Sequence, residues 1–344
     1  MLKTNITEMF DIKHPIFAAP MGPFYTKELT VAVSEAGGMG VISHTNLLGK
    51  DSFKVMKEDM EYVVEHTDKP FGFNIRTGRM QFDAKKLCRQ IPKFIMENQK
   101  VREQCVYALT SAGSSKMLPG SKSFQALKEN GDIKHFHVAP AAWLADKCVA
   151  SGVDGMVVTG SEGGGHQSYE KTGTLVLLQQ VIEKHPDFPI IACGAFGNGY
   201  GLAAALGMGA GAIAMGSRFI ASQESEFHQK YKDIVPPANP KDTILVTGFL
   251  GPIRLWKNDY ALQHGLIDSK EEKMAEENGF TLEMLMEDGK HYESVYLKGD
   301  LETGAIPLGQ SCGLVYSLDK VSDIIDSIIN IAEERLKKAS SFLQ

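Results

Sequence analysis

The chain has 344 residues, with 36 Lys and Arg against 42 Asp and Glu and a net charge of −6. That length suits one large barrel or two ordinary domains, and it buries a sizeable core without covalent staples. No basic block stands out, which argues against nucleic acid as the main partner, because phosphate binding needs clustered Lys and Arg.

Short apolar runs recur over the first two thirds of the chain, starting at Pro15, Met39, Phe71, Cys105, His135, Asp154, Pro189 and Gly211. Most are almost continuously apolar, as parallel strands covered on both faces are. Segments with helical spacing lie between them: Lys27–Ala36, Phe53–Glu65, Ser123–Asn130, Ala141–Ser151, Thr174–Lys184 and Tyr200–Gly207. Gly follows several of these, a stop signal because it takes the left-handed conformation cheaply. Eight strands alternating with helices predict a (β/α)8 TIM barrel. An open doubly wound sheet would show a phosphate fingerprint after the first strand, where this chain has Pro20, Met21, Gly22 and Pro23. The stretch 222–305 changes character, being polar, acidic and helical in places. It reads as an inserted smaller helical domain beside the barrel mouth, after a barrel over 1–221 and before a segment, 306–344, that returns to the barrel. A closing amphipathic helix is expected over Leu318–Phe342.

Cys88, Cys105, Cys148, Cys193 and Cys312 are widely spaced, with no Cys-x-x-Cys pair and no zinc-type spacing to His. Reduced thiols, a cytoplasmic protein and no metal site are therefore expected. The most apolar stretch, Gly201 to Gly216, is shorter than the roughly 20 residues of a membrane span, so no membrane segment is expected.

In such barrels chemistry gathers where strands end. The sixth strand ends in Thr159 and runs into Glu162, Gly163, Gly164, Gly165 and His166. Three consecutive glycines let backbone approach a flat or anionic ligand, and a His just beyond can act as acid, base or donor. A flexible loop with a surface His is the plainer alternative. The seventh strand ends in Cys193, Gly194 and Ala195, and the eighth in Met215, Gly216 and Ser217, each opening a helix. Small residues at these two places fit a phosphate held by backbone N–H groups, or simply tight turns. The third strand ends in Asn74, Ile75 and Arg76, with Arg79 close by. Asn there can bond the polar edge of a heterocycle, and either Arg can pair with an anion or lie on the surface.

Taken together, Gly152 through His166 resemble the signature of the nitronate monooxygenase family, whose superfamily includes flavin-dependent enoyl-ACP reductases. The resemblance extends to Ala19–Met21, Gly72–Asn74, Met215–Phe219 and Gly309–Gly313. It implies one FMN and a small-molecule substrate. By position, Pro20, Met21 and Gly22 would lie along the flavin ring, and Asn74, Thr159, Gly164 and Gly165 match flavin contacts. Gly194, Ala195, Met215, Gly216 and Ser217 match the phosphate side, and His166 matches the catalytic histidine. The chain lacks the Lys that many members carry near the end of strand five, where it has His137 to Pro140. It has Thr159 where Gln is frequent, and Thr77–Gly120 is longer. These departures leave room for a different substrate.

The resemblance implies oxidation of alkyl nitronates with O2 to a carbonyl compound and nitrite, with His166 removing an α proton or orienting the anion. The alternative is reduction of an enoyl thioester by NAD(P)H through the flavin. Acyl carrier protein or CoA would then be the partner, and Cys312 would line its entrance. A flavin-free isomerase or aldolase would want a strand-end Lys or Glu, for which Glu162 is the candidate. A homodimer is compatible with either reading.

Overall fold

A computed structural model describes residues 2–45 and 50–343. Its strands are β1 (Ile16–Ala18), β2 (Gly40–Ile42), β3 (Phe71–Arg76), β4 (Cys105–Ser111), β5 (Lys134–Ala139), β6 (Gly155–Thr159), β7 (Gly165–His166), β8 (Ile190–Cys193), β9 (Ala212–Met215), β10 (Thr243–Gly248) and β11 (Gly251–Trp256). Eight of them form one parallel sheet in the order β1-β9-β8-β6-β5-β4-β3-β2. The two ends meet: Phe17 bridges Met39, Ala18 N donates to Met39 O, and Met39 N donates to Ile16 O, both at 2.9 Å. The expected (β/α)8 barrel is therefore the observed one. Each predicted strand starts within one residue of its observed first residue.

Alternation along each strand divides the apolar residues between two cores. Facing in, Phe17, Tyr107 and Phe136 pack edge to face with centroids 5.2–5.4 Å apart. Phe10, from the N-terminal helix Asn5–Phe10, joins them at 5.4–5.8 Å and fills the end of the barrel away from the strand C-termini. Facing out, Phe71, Phe73 and Ile75 pack with Met56, Met60, Leu87 and Ile91 of the helices Ser52–His66 and Ala84–Glu97. The closing helix, Val321–Ser340, buries Val321, Ile324, Ile325, Ile328, Ile329 and Ala332. Among the described residues no helix is long and apolar enough to cross a membrane.

Residues 222–305 hold the helices Gln229–Asp233, Asp259–Leu262, Lys270–Glu277 and Leu282–Lys298. Alongside these the segment contains the β10–β11 hairpin, which the polar composition around it hid. β7 adds to that hairpin as a third antiparallel strand, pairing His166 with Ile253 and Gly165 with Arg254. The segment shares its aromatic core with the loop after β1. Phe24 stacks on Tyr296 at 5.2 Å and packs against Phe227, so the segment is anchored over the C-terminal mouth of the barrel.

The barrel interior leaves no room at Gly155, where an added Cβ would overlap the Phe136 ring. Gly155→Ala should lower stability by about 1–3 kcal/mol through overpacking, read from urea denaturation at pH 7. Gly207→Ala, in the helix Gly199–Met208 with nothing within 4 Å of the new Cβ, should leave stability equal or slightly higher. Equal behaviour of the two variants would contradict the packing described.

Candidate active site

The strand C-termini and the loops after them form a mouth whose lining is only partly covered. Pro20, Met21, Gly22, Arg76, Ser111, Val138, Cys193, Gly194, Ala195, Gly216 and His166 are all half-buried there. Met21 N donates to Ser43 Oγ at 2.8 Å, which fixes the β1 loop against the end of β2. Gly22 lies against the His44 carbonyl, where a Cβ would come within 2.6 Å of the oxygen and 3.5 Å of Arg76 Nε. Asn74 is fully buried, and its Nδ2 donates to Leu109 O at 3.1 Å and Ser111 Oγ at 3.2 Å. Its Oδ1 is then the atom left to accept from a ligand. Met215 contributes backbone only: its side chain is buried in the core, and its carbonyl accepts from Ala19 N at 3.0 Å.

The glycine loop after β6 is held on both sides. Gly164 approaches the C-terminal segment so closely that a Cβ would sit 2.6 Å from Gly309 N. Gly309 N in turn donates to Ser217 Oγ at 3.0 Å, and Gln310 N donates to Glu162 O at 2.8 Å. Glu162 Oε2 accepts from Thr174 N at 2.8 Å and Thr174 Oγ1 at 2.9 Å, so this carboxylate ties the loop to the next helix. Gly165, at φ +79°, turns the chain into β7. Arg254 Nε donates to Ser161 O at 2.7 Å from the hairpin side. His166 therefore sits on a paired strand rather than a free loop.

Gly194, at φ +103°, brings the β8 loop back against Thr159 and Gly163. The Thr159 hydroxyl is hydrogen-bonded to the Cys193 thiol. Burial pushes that thiol up to about 11 in spite of this bond, so it is protonated at neutral pH.

Electrostatically the mouth centres on Arg76. Burial brings its guanidinium down to about 10, which still leaves it charged at neutral pH. Its backbone N donates to His44 Nδ1 at 3.0 Å, so His44 carries its proton on Nε2 and donates to Asp83 Oδ2 at 3.1 Å. Asp83 also accepts from Ser52 Oγ at 2.5 Å and Gln81 Nε2 at 2.8 Å. Burial works to raise this carboxyl, but the bonds from His44, Ser52 and Gln81 hold it well below the usual range. On the other side, burial and then the Arg76 charge lower His166 to about 4. Its imidazole is neutral at pH 7. Tyr292, from the helix Leu282–Lys298, is also near enough for the Arg76 charge to bear on its phenol.

Several residues singled out from the sequence lie elsewhere. Arg79 forms a surface ion pair with Glu277 at 2.6 Å. Cys312 lines no entrance: it is buried in the turn Gln310–Leu314, with Sγ 3.6 Å from Asn239 O. At the end of β5, His137 turns away from the mouth. Thr110 Oγ1 lies 2.7 Å from both His137 Nδ1 and His135 Nε2. Conversely, His44 and Cys193 lie at the mouth without having been singled out for it, and Tyr292 comes within range of the Arg76 charge. Their signals are tertiary, apart from Cys193, which ends a strand beside Gly194.

A sequence profile described as nitronate monooxygenase matches residues 3–330. The chain is 28% identical to a (3aS,4S,5R,7aS)-5-hydroxy-7a-methyl-1-oxo-octahydro-1H-indene-4-carboxyl-CoA dehydrogenase of Rhodococcus jostii, over 97% of each chain. It is 26% identical to a probable nitronate monooxygenase of Staphylococcus saprophyticus, over 75% of this chain and 80% of that one. The structure of FabK from Thermotoga maritima superposes with a TM-score of 0.81 at 30% identity, over 99% of this chain and 100% of the other. Barrel, mouth and likenesses define an oxidoreductase of the flavin-dependent superfamily. Within it, the chain belongs to the nitronate monooxygenase family.

The buried imidazoles have a consequence for stability. His135 and His137 are held at about 3 and about 4, chiefly by burial. The unfolded chain titrates them near 6.5, so below that pH it binds protons that the folded protein does not. Stability is fully present above pH 6.5. It falls as pH drops towards the folded values, by at most about 1.4 kcal/mol per pH unit for each imidazole. The urea midpoint should be flat above pH 7 and fall between pH 6.5 and 4.5, with a shallower fall in His135→Asn. An unchanged slope in that variant would remove His135 from the account.

Proposed function

We propose that the chain is an FMN-dependent oxidoreductase acting at the α and β carbons of an acyl thioester. The observation that carries this reading is that Arg76, charged, and His166, neutral, both lie half-buried at the barrel mouth. A guanidinium and a neutral imidazole N–H make a site for an oxygen that gains negative charge during reaction, such as a thioester carbonyl becoming enolate-like. His166 would then be the catalytic residue that donates to that oxygen. His44 and Asp83 would position Arg76 from behind. The relatives matched along the whole chain add support, since one is named as a dehydrogenase of a CoA ester and FabK proteins are enoyl-ACP reductases.

The residues present fit FMN. At Gly216 an added Cβ would meet nothing closer than Ala19 Cβ at 3.9 Å, and at Gly165 nothing within 4 Å. Backbone alone walls these parts of the mouth, which leaves room for a large flat group and its phosphate. Pro20, Met21, Gly22, Asn74, Thr159, Gly164 and Gly165 would receive the ring system. Gly194, Ala195, Met215, Gly216 and Ser217 would hold the phosphate end. Bound FMN supplies hydride exchange, and NADH or NADPH would serve as the outside reductant.

A second reading, nitronate oxidation, is favoured by the same Arg76, because a buried cation also holds a substrate that is anionic from the start. His166 would then orient the nitronate or take the α proton of the neutral nitroalkane. Anaerobic stopped-flow separates the two. Dithionite-reduced holoenzyme should regain its oxidised flavin spectrum on mixing with crotonyl-CoA, while oxidised holoenzyme should not bleach with propyl-2-nitronate. The opposite pattern would move the chain to the nitronate reading, and silence with both probes would sink the pair.

Gly216→Leu should weaken FMN binding by at least about tenfold while changing the urea midpoint little, because the new side chain would enter open space in the mouth rather than the core. Equilibrium dialysis of FMN against both proteins checks this. Equal affinities would remove Gly216 from the cofactor site.

A further inference from the structure

A second opening lies between the loop after β1 and the helix Ser52–His66. It is a cleft of about 350 Å³, inside the roughly 300–1,000 Å³ that small-ligand sites occupy. Tyr25 and Lys27 line it on one side, and Lys50, Lys54, Val55 and Asp59 on the other. Both sides follow the C-terminal ends of strands, β1 and β2, so the cleft is at the same end of the barrel as the mouth. Tyr25 is three residues from Gly22, hence within about 11 Å of it at roughly 3.6 Å per residue. Its ring packs on Tyr296 of the inserted segment, with centroids 5.8 Å apart.

The cleft holds a carboxyl that packing does not need. Asp59 is 4% exposed, and its Oδ2 is buried with no hydrogen-bond partner. Among the described residues no cation pairs with it. Burial pushes this carboxyl up to about 7, with Lys27 acting against burial and Glu226 and Glu58 adding to it. The acid form is therefore well populated at neutral pH. A buried carboxyl without a bond is costly, and an apolar side chain would fill the same place at less risk. The last torsion of an Asp is soft, so either oxygen can turn to the cleft.

The rest of the lining is cationic and apolar. Lys27 holds its ammonium 4.5 Å from the centre of the Tyr62 ring, and Lys54 lies 3.8 Å from Glu58. Lys50 is exposed and pairs with no described carboxylate. Asp51, the other acid here, is taken up by Lys86 at 3.0 Å and by the backbone N–H groups of Phe53 and Lys54. One ligand must answer all of this. A carboxylic acid sets a donor beside an acceptor. Adenine presents the complement, N1 beside its 6-amino group, whereas guanine presents two adjacent donors that call for an ionised carboxylate. Tyr25 and Val55 suit the faces of a flat base, and lysines suit phosphate.

We propose that this cleft binds an adenosine phosphate, with Asp59 on the base edge and Lys27, Lys50 and Lys54 on the phosphates. Two molecules of the chemistry above carry that group: the CoA of a thioester substrate and the nicotinamide nucleotide reductant. What the bound nucleotide does rests on the oxidoreductase reading, whereas its binding needs no turnover.

Calorimetric titration of the FMN-loaded protein at pH 7 tests the cleft. The probes are adenosine 3′,5′-bisphosphate, adenosine 2′,5′-bisphosphate, guanosine 3′,5′-bisphosphate and inorganic phosphate. An adenosine bisphosphate should bind at least about tenfold tighter than the guanosine bisphosphate and phosphate. Preference for the 3′,5′ isomer marks CoA as the source, and preference for the 2′,5′ isomer marks NADPH. Asp59→Leu should weaken binding by at least about tenfold. Asp59→Asn, whose amide also sets a donor beside an acceptor, should keep it. Lys50→Ala and Lys54→Ala should each weaken it and flatten its salt dependence. Absence of binding, equal affinity for adenosine and guanosine, or unaltered affinity in Asp59→Leu would each overturn the proposal. Binding by a holoenzyme inert to crotonyl-CoA would keep the cleft and remove the thioester reading. Turnover of crotonyl-CoA by a holoenzyme that binds neither adenosine bisphosphate would do the reverse.

Discussion

The site depends on one close approach of backbone to backbone, Gly164 against Gly309, at a separation that no side chain fits. Through it the loop after β6 is locked to the C-terminal segment, and the lock spreads through short bonds. Gly309 is tied to Ser217 at the end of β9, Gln310 to the Glu162 carbonyl, and the Glu162 carboxylate to Thr174 at the next helix. The hairpin closes the other side by taking Gly165 and His166 as a third strand. A loop with three successive glycines would otherwise carry a large conformational entropy. Here its freedom is removed by contacts that glycine alone permits, and His166 is presented from a fixed backbone. Preorganisation of this kind is what a donor to a developing charge needs.

Arg76 is the second constraint. A guanidinium in a half-covered mouth disfavours any further positive charge, which is one reason why His166 stays neutral. The Asp83 carboxylate acts against the effect of burial on that cation. Asp83 is fixed by three donors, and His44 links it to the Arg76 backbone. Arg76 keeps its charge at neutral pH, so the mouth has a positive character. A thioester oxygen or a nitronate would meet that character first, which is why a single residue supports both functional readings.

The sequence carried the barrel because burial on both faces writes a parallel strand as a short continuous apolar run, and that signal survives without tertiary information. The six helices predicted between strands match the observed ones to within one residue at each end, and the closing helix, expected over Leu318–Phe342, runs over Val321–Ser340. The helix Ala84–Glu97 was harder to read, since Pro92 lies inside it and proline argues against a helix interior. β7 is two residues long and exists only because β11 pairs with it, so no periodicity could reveal it. At the site, legibility followed the same division. Glycines needed for close approach are visible as glycines, and His166 is visible beside them. Glu162, the candidate under a flavin-free isomerase or aldolase reading, has its carboxylate occupied by Thr174. Tyr292 is one of two tyrosines in the helix Leu282–Lys298, and only the fold brings it within range of the Arg76 charge, more than 200 residues away in the chain.

This division has a physical reason that bears on how such proteins diverge. The barrel strand ends contribute mostly small residues and backbone at the mouth: Gly194, Ala195, Gly216, Ala19. These shape a space for a cofactor but bring no protons and no charge of their own. Charge at the mouth comes instead from Arg76, the last residue of β3, backed through His44 by Asp83 at the start of the next helix. The inserted segment is anchored by its aromatic core around Phe24 and Tyr296. A likeness spread over the whole barrel fixes the cofactor class well and the substrate poorly, because the residues that determine each are carried on different parts of the chain.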